Sequence, residues 1–423
     1  MDYTVIVILA GAILLYGLVS NRLDETSVTA PMVLTGFGVV VAIVVPNPFG
    51  TEAGNEFVEL LAEVTLILVL FSDAARIDLR QLKRDHNLPQ RMLVVGMPLS
   101  IVLGAIIALV VFNQITFWEA ALLAAVLAPT DAALGQAVVS SPLVPVRIRQ
   151  ALNVESGLND GIALPFVMIL TCLASAEHDP GAAGYWLKFG LLQVTMGPLA
   201  GLVVAYVGAK AIGLAIEKNW ITEPFQGLAA LSIAFLAFGC AELMHGNGFI
   251  AAFVAGLVFG NKLTQPCKFL YEFAETEGQL LTLLTFSIFG AVMIPMLGDE
   301  FQWTFVLYAL ISLTLVRMVP VALSLAGSGV RFPTVSFLGW FGPRGLASIL
   351  FALLIIRQAK VENQELILLI TITTVSLSIL LHGVSAGPAS KWYGAIASRM
   401  SDSEEQKMVG EMPYRVRTSI TRN

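Results

Sequence analysis

Long apolar stretches alternate with short polar ones along nearly the whole chain. Each stretch holds roughly 17–30 residues, which lets an α-helix cross about 30 Å of hydrocarbon at about 1.5 Å per residue. The pattern predicts an all-α polytopic membrane protein with about 13 transmembrane helices. The predicted spans, numbered one to thirteen, are 3–20, 30–46, 57–75, 91–112, 117–141, 147–174, 186–216, 225–243, 247–261, 279–297, 302–325, 334–357 and 364–388.

The composition agrees with this pattern. Hydrophobic residues make up 57% of the 423 residues and charged residues only 13%, whereas soluble domains carry about 25% charged residues. A soluble enzyme and a receptor with one anchor and a large ectodomain are both excluded. The net charge of −6 comes without a basic stripe, so no nucleic-acid partner is expected.

The basic residues give the orientation. With thirteen spans, 19 of the 24 lysines and arginines fall on one side of the membrane, and the other side receives only Lys188, Arg357 and Lys360. Positive residues concentrate on the cytoplasmic side. We therefore expect a multi-pass protein of the cell membrane with its N-terminus outside, a membrane portion over 1–390 and a cytoplasmic tail over 391–423.

Span five carries a proline beside a carboxylate, in Ala128-Pro129-Thr130-Asp131. Proline cannot donate to the carbonyl four residues back, so the helix should break there. Backbone groups freed at membrane depth must be buried in protein or line an aqueous cavity. Such groups beside Asp131 favour a cation site of the discontinuous-helix kind. The competing interpretation is a plain proline kink.

Span six presents four polar side chains over little more than one turn, namely Glu155, Ser156, Asn159 and Asp160. Ionised groups are costly inside a bilayer and usually mark function. Oxygen ligands of this kind suit a hard cation such as Na⁺. The competing interpretation is a polar network that holds helices together.

Span twelve repeats the combination of proline and charge in Gly342-Pro343-Arg344-Gly345. Matching breaks in two halves of opposite orientation predict an inverted repeat with two crossing broken helices. Arg344 needs a buried partner, because an unpaired guanidinium at that depth is costly; the candidates are Glu155, Asp131 and Asp160. A structural role is favoured for Arg317.

These motifs resemble those of the monovalent cation:proton antiporter superfamily, specifically its electroneutral Na⁺/H⁺ exchanger branch of NhaP-like antiporters. The likeness rests on Ala-Pro-Thr-Asp at 128–131, Glu-Ser-Gly-Leu-Asn-Asp-Gly at 155–161, Gly-Pro-Arg-Gly at 342–345 and His-Gly-Asn-Gly-Phe-Ile-Ala at 245–251. The resemblance implies an antiporter fold and a homodimer. Spans 4–6 and 11–13 would form a mobile core, spans 1–3 and 8–10 an interface domain, and span seven a linker.

The resemblance also implies roles for the site residues. Asp160 would hold the cation and the proton in turn, with Thr130 and Ser156 as further Na⁺ ligands and Asn159 holding the architecture. Asp131 would compensate the half-helix dipoles. Glu155 and Arg344 would form a structural ion pair, and Asp73 would border the cytoplasmic funnel.

One carboxylate that accepts either H⁺ or Na⁺ gives exchange without ATP, and one-for-one exchange is electroneutral. We therefore expect a secondary transporter that exchanges Na⁺, with Li⁺ as an alternative, for H⁺. It would not be an enzyme and would need no cofactor. The alternatives are a K⁺/H⁺ exchanger or cation channel on the same fold and, more remotely, an intramembrane aspartyl protease with Asp131 and Asp160 as its dyad.

Overall fold

The computed structural model describes residues 3–23, 26–45, 52–77, 79, 87–131, 134–178, 183–262, 277–298, 300–358, 361–400 and 405. These residues form helices and connecting turns, without any β-strand among them. The helices are α1 Tyr3–Leu23, α2 Ala30–Val44, α3 Glu52–Ala75, α4 Asn87–Val111, α5 Phe117–Val126, α6 Gln136–Val139, α7 Val146–His178, α8 Ala183–Glu217, α9 Glu223–Leu243, α10 Gly248–Lys262, α11 Gly278–Leu297, α12 Trp303–Ser324, α13 Phe332–Trp340, α14 Leu346–Gln358 and α15 Gln364–Ala397.

The helices follow the apolar pattern closely. Seven of those in the described residues (α4, α7, α8, α9, α11, α12 and α15) are long and apolar enough to cross a membrane, and others are shorter but apolar. Every predicted span overlaps a helix or a pair of helices, and predicted spans five and twelve are each such a pair. The all-helical polytopic fold is therefore confirmed, while the exact number of crossings stays a prediction.

Helix α5 lies at the centre of the molecule, and its start is fixed by its own sequence. The Thr116 hydroxyl accepts from the backbone N–H of Glu119, whose carboxylate accepts in return from the N–H of Thr116, which is a capping box. Glu119 is buried and also accepts from the backbone and side-chain N–H groups of Asn363, just before α15. The carboxylate therefore joins the starts of two helices.

The helices pack in two groups. In one group, α4 packs against α5 and α12, α7 against α5, and α15 against α12 and α14. In the other, α10 packs against α3 and α9, and α2 against α11. Helix α8 contacts both α10 and α7, so it adjoins both groups.

The segment 245–251, one of the motifs noted above, covers the turn between α9 and α10 and the first residues of α10. His245 has a left-handed backbone with φ of 56°. Asn247 accepts from the N–H of Ile250 (2.9 Å), and Glu242 accepts from the N–H of Gly248 (2.8 Å). Both side chains satisfy amides at the start of α10, where a helix leaves its first N–H groups unpaired. This motif therefore shapes a helix start.

The chain stays helical beyond the predicted boundary at residue 390, because α15 continues to Ala397. Tyr393 is buried there and stacks on Phe337 of α13, with ring centroids 4.3 Å apart. The Tyr393 hydroxyl also lies 3.0 Å from the Thr334 hydroxyl. Aromatic packing on α13 thus extends the helix into the stretch that its polar composition assigned to the tail. Of the chain beyond Ala397, residues 398–400 and 405 are among the described residues.

Candidate functional site

The two helix breaks meet in the middle of the protein. Helix α5 ends at Val126 and α13 ends at Trp340, each followed by a short non-helical stretch that contains a proline. The two stretches touch, since the backbone N–H of Asp131 donates to the carbonyl of Pro343 (2.8 Å). The predicted crossing of two broken helices is therefore present.

The broken end of α5 faces a positive charge. The Arg344 guanidinium is buried and donates to the carbonyls of Ala128 and Pro129, the latter at 3.1 Å. A helix carries partial negative charge at its C-terminal end, on carbonyls that lack intrahelical partners. Arg344 from one broken helix therefore satisfies the end of the other.

The start of α14 faces a negative charge. Asp131 accepts from the backbone N–H of Leu346 (2.8 Å) and from that of Leu134 (3.4 Å). Carboxylates stabilise the positive N-terminal ends of helices. Arg344 thus faces the carbonyls that follow α5, and Asp131 faces the N–H groups at the start of α14.

Two glycines of the 342–345 motif leave room for charged side chains. A Cβ atom at Gly345 would overlap the Asp131 carboxylate, and one at Gly342 would overlap the Arg317 guanidinium. Glycine is therefore required at these positions by close approach, independently of backbone conformation.

Replacing Gly345 with alanine should push the Asp131 carboxylate away from the N–H of Leu346. Overpacking of this kind costs about 1–3 kcal/mol, so we expect the variant to be less stable than the wild type by about that amount. The midpoint of thermal unfolding of the purified protein measures the effect. Gly239→Ala in α9, where a Cβ meets nothing within 4 Å, is the matched control and should unfold at the wild-type midpoint. An unchanged midpoint for Gly345→Ala would show that the crossing tolerates a displaced Asp131 carboxylate.

Three polar side chains of the predicted site meet beside the break in α5. The Thr130 hydroxyl accepts from the Asn159 amide (2.5 Å) and lies 2.9 Å from the Ser156 hydroxyl. Thr130 and Asn159 are buried, and Ser156 is half-buried. Asn159 and Ser156 on α7 thus fix the non-helical stretch that follows α5.

Asp160 lies on the same turn of α7. Its Oδ1 atom is buried and has no hydrogen-bond partner among the described residues, and the same is true of Asn159 Oδ1. Asp131 and Asp73 are the two carboxylates whose charges act on Asp160. Most buried polar atoms in proteins are paired, so these two oxygens, without a partner among the described residues, are candidate ligands.

The predicted ion pair between Glu155 and Arg344 is wrong, because Glu155 pairs with Arg317 of α12. The contact is bidentate, at 2.5 and 2.7 Å, and both side chains are buried. Arg317 gains this position because α12 is interrupted at Thr314, whose φ and ψ are −108° and −88°. Arg344 is instead held by the backbone carbonyls of the α5 break, although the charge of Glu155 also acts on it.

Two further polar residues at the crossing are absent from the sequence-based candidates. Ser378 and His382 of α15 are buried and contact the non-helical stretch after α13. They lie four residues apart in an otherwise apolar span, a spacing that places them on one helix face. A histidine within a membrane span is itself rare, so the sequence did carry this signal.

The polar groups beside the break in α5 are mainly hydroxyl and amide oxygens, with few carboxylates. Among the described residues, no group of three or more His, Cys, Asp or Glu side chains could hold a metal ion. Hydroxyl, amide and carboxylate oxygens are the ligands that hard cations prefer. The fold and this site together define a polytopic helical transporter with crossed, interrupted helices.

Comparison with known proteins identifies the family. Residues 6–392 match the family model described as sodium/hydrogen exchanger, transmembrane, and the chain belongs to this family. The predicted resemblance is thus confirmed. The family consists of transporters, in agreement with the expectation that the chain is not an enzyme.

Relatives of this chain occur in bacteria and fungi. It is 27% identical over 357 residues to the Na⁺/H⁺ antiporter NhaP of Pseudomonas aeruginosa, which covers 79% of this chain and 81% of the relative. It is 24% identical over 356 residues to Na⁺/H⁺ antiporter 2 of Zygosaccharomyces rouxii, covering 78% of this chain. The chain spans only 43% of that longer fungal protein.

A solved structure has the same fold. The sodium proton antiporter MjNhaP1 from Methanocaldococcus jannaschii superposes with a TM-score of 0.74, over 90% of this chain and all of that chain, at 20% identity. At this identity the likeness shows the fold alone.

Proposed function

We propose that the protein is a secondary active transporter that exchanges Na⁺ for H⁺ through competition of the two ions for Asp160. The observation that carries the proposal is the buried Oδ1 of Asp160, which lies beside the crossing of two interrupted helices and has no hydrogen-bond partner in the part of the chain that the structure describes. The names of the related Na⁺/H⁺ antiporters support the same ions.

Competition for one carboxylate is sufficient for exchange. A carboxylate away from water is neutralised by a bound proton or by a bound cation, and each displaces the other. Either neutral complex can cross the membrane interior, whereas the empty, charged site pays the full cost of desolvation. Exchange is then one for one and electroneutral, with Li⁺ as a second substrate.

The Na⁺ ligands in this proposal are Asp160, Ser156 and Thr130. Ser156 and Thr130 already lie 2.9 Å apart through their hydroxyls, so one cation can contact both. Asn159 fixes Thr130 by its amide and thereby sets the shape of the site. Asp131 compensates the helix end at Leu346, and Asp73 lines the path to the cytoplasm. No resident cofactor is required.

The helix packing supports a division into a mobile core and an interface domain. The mobile core is formed by spans 4–6 and 11–13, and the interface domain by spans 1–3 and 8–10. Span seven, which is α8, contacts both groups of helices and serves as the linker. The protein works as a homodimer in the lipid bilayer of the cell membrane, with its N-terminus outside and its C-terminus in the cytoplasm.

Purified protein in liposomes loaded with a pH-sensitive dye tests the proposal. A pulse of Na⁺ or Li⁺ should discharge an imposed pH gradient, and an equal pulse of K⁺ should not. The initial rate should not change when valinomycin and K⁺ set the membrane potential. A response to K⁺ alone would indicate a K⁺/H⁺ exchanger. Cation flux without proton movement would indicate a channel and refute the proposal.

The protease alternative has little support from the geometry. A catalytic dyad needs two carboxylates that share a proton, but both oxygens of Asp131 accept from backbone N–H groups. Asp131 is thus engaged in holding the crossing together.

A further inference from the structure

Helix α15 contacts the break that follows α13 through a series of hydrogen bonds. The backbone N–H of Arg344 donates to the Ser378 hydroxyl (2.7 Å). The Ser378 hydroxyl lies 3.2 Å from His382 Nδ1, and His382 Nε2 lies 2.9 Å from the carbonyl of Trp340. All these atoms belong to buried or half-buried groups, so each polar atom needs a partner within the protein.

The partners of each ring nitrogen indicate how the ring is protonated. The carbonyl of Trp340 can only accept, so His382 Nε2 must carry a proton and donate. His382 Nδ1 lies 3.2 Å from the Ser378 hydroxyl and 3.1 Å from the Ser378 carbonyl, so a second proton there could donate to either oxygen. A charged ring is costly in a buried site, which leaves the neutral ring protonated at Nε2. Nδ1 then accepts from the Ser378 hydroxyl, whose oxygen accepts in turn from the N–H of Arg344.

The series of hydrogen bonds joins two backbone groups that would be bonded to each other in a continuous helix. Residues 340 and 344 are four apart, so in an uninterrupted helix the N–H of Arg344 would donate directly to the carbonyl of Trp340. The break removes that bond. The Trp340 carbonyl instead accepts from the N–H of Gly342 (2.8 Å) and from His382, which fills both of its lone pairs.

We propose that Ser378 and His382 form a side-chain relay that replaces the missing helical hydrogen bond between Arg344 and Trp340, and that they are positioning residues for transport. The relay bridges the two sides of the break while leaving residues 341–343 non-helical. The carbonyl of Pro343 therefore stays available to the N–H of Asp131, and the Arg344 side chain stays directed at the α5 break.

The rings add a second contact to the relay. The Trp340 indole stacks on the His382 imidazole with centroids 5.0 Å apart, and its Nε1 donates to the Ser385 hydroxyl (2.9 Å). Ser378, His382 and Ser385 are spaced by four and three residues, so they share one face of α15. Phenylalanine at position 382 would keep the stacking on Trp340. It would lose the relay, because its ring has no hydrogen-bonding atom.

This difference gives the test. Glutamine carries an acceptor and a donor about as far apart as the two ring nitrogens, so His382→Gln can rebuild the relay and His382→Phe cannot. We expect His382→Phe to lower the maximal exchange rate in proteoliposomes by about tenfold or more. His382→Gln should stay within about threefold of the wild type. Normal exchange in a folded His382→Phe variant would overturn the proposal.

Ser378 provides an independent variant. Ser378→Ala removes the middle of the relay and should reduce exchange as His382→Phe does. Ser376→Ala is the matched control and should exchange normally, because the one hydrogen bond of the Ser376 hydroxyl within the described residues is to the carbonyl of Ile372 in its own helix. Equal rates in the two serine variants would contradict the relay.

A measurement on the unmodified protein covers the case in which the variants do not fold. Nitrogen NMR of protein labelled with ¹⁵N-histidine, assigned by comparison with His382→Gln, should show His382 as the neutral tautomer protonated at Nε2. A ring protonated at Nδ1 alone would overturn the proposal. The inference rests on the proposed function only through its transport readout, and the tautomer can fail or succeed independently of ion exchange.

Discussion

The Asp160→Asn variant is expected to fold normally and to lose Na⁺-dependent proton exchange completely. Asparagine has nearly the shape of aspartate but cannot release or take up a proton at neutral pH, nor can it neutralise a bound cation. Oδ1 of Asp160 is buried and has no hydrogen-bond partner among the described residues, and the change removes the carboxylate for which the ions are proposed to compete. Dye-loaded proteoliposomes measure the exchange, and size-exclusion elution with thermal unfolding measures the folding.

A carboxylate elsewhere in the membrane region provides the control for this experiment. Glu63 lies half-buried on α3, outside the crossing, and Glu63→Gln removes the same charge by the same chemistry. The Glu63→Gln variant should exchange at about the wild-type rate, because substitutions away from a functional site usually have small effects. Residual exchange in a folded Asp160→Asn variant would show that another group carries the proton.

The second large effect concerns the buried ion pair. Replacing Glu155 with leucine leaves the Arg317 guanidinium buried without its counter-charge, and breaking a buried pair in this way costs about 3–5 kcal/mol. We expect a strongly lowered thermal midpoint and poor expression. Adding Arg317→Met removes the stranded charge, and replacing both ions by apolar residues is often close to neutral. The double variant should therefore recover most of the stability.

A second double variant distinguishes the two candidate partners of Glu155, which are Arg317 and Arg344. Combining Glu155→Leu with Arg344→Met should give no recovery, because Arg344 is held by the carbonyls of Ala128 and Pro129. That combination leaves Arg317 unpaired and removes the donor at the end of α5 as well. Recovery with Arg344→Met and none with Arg317→Met would instead support the pairing that the motifs implied.

The spans and the breaks followed from the sequence because each rests on a local property. Hydropathy is summed over a stretch of neighbours, and a proline acts on its own turn. The same holds for the spacing of Ser156, Asn159 and Asp160 along one helix. These elements, together with the motif resemblance, were sufficient to predict a helical antiporter fold with two broken helices.

Contacts between distant segments were decided only by the tertiary structure. The motif resemblance paired Glu155 with Arg344, but nothing local in the sequence separates Arg317 from Arg344, since both lie in apolar stretches far from residue 155 along the chain. The interruption at Thr314 turns Arg317 toward Glu155. In the same way, Ser378 and His382 gained a role only when α15 was placed against the break after Trp340. Composition and local pattern thus set what crosses the membrane and where helices break, whereas three-dimensional packing selects which buried groups meet, because hydrogen bonds and ion pairs act over only a few ångströms.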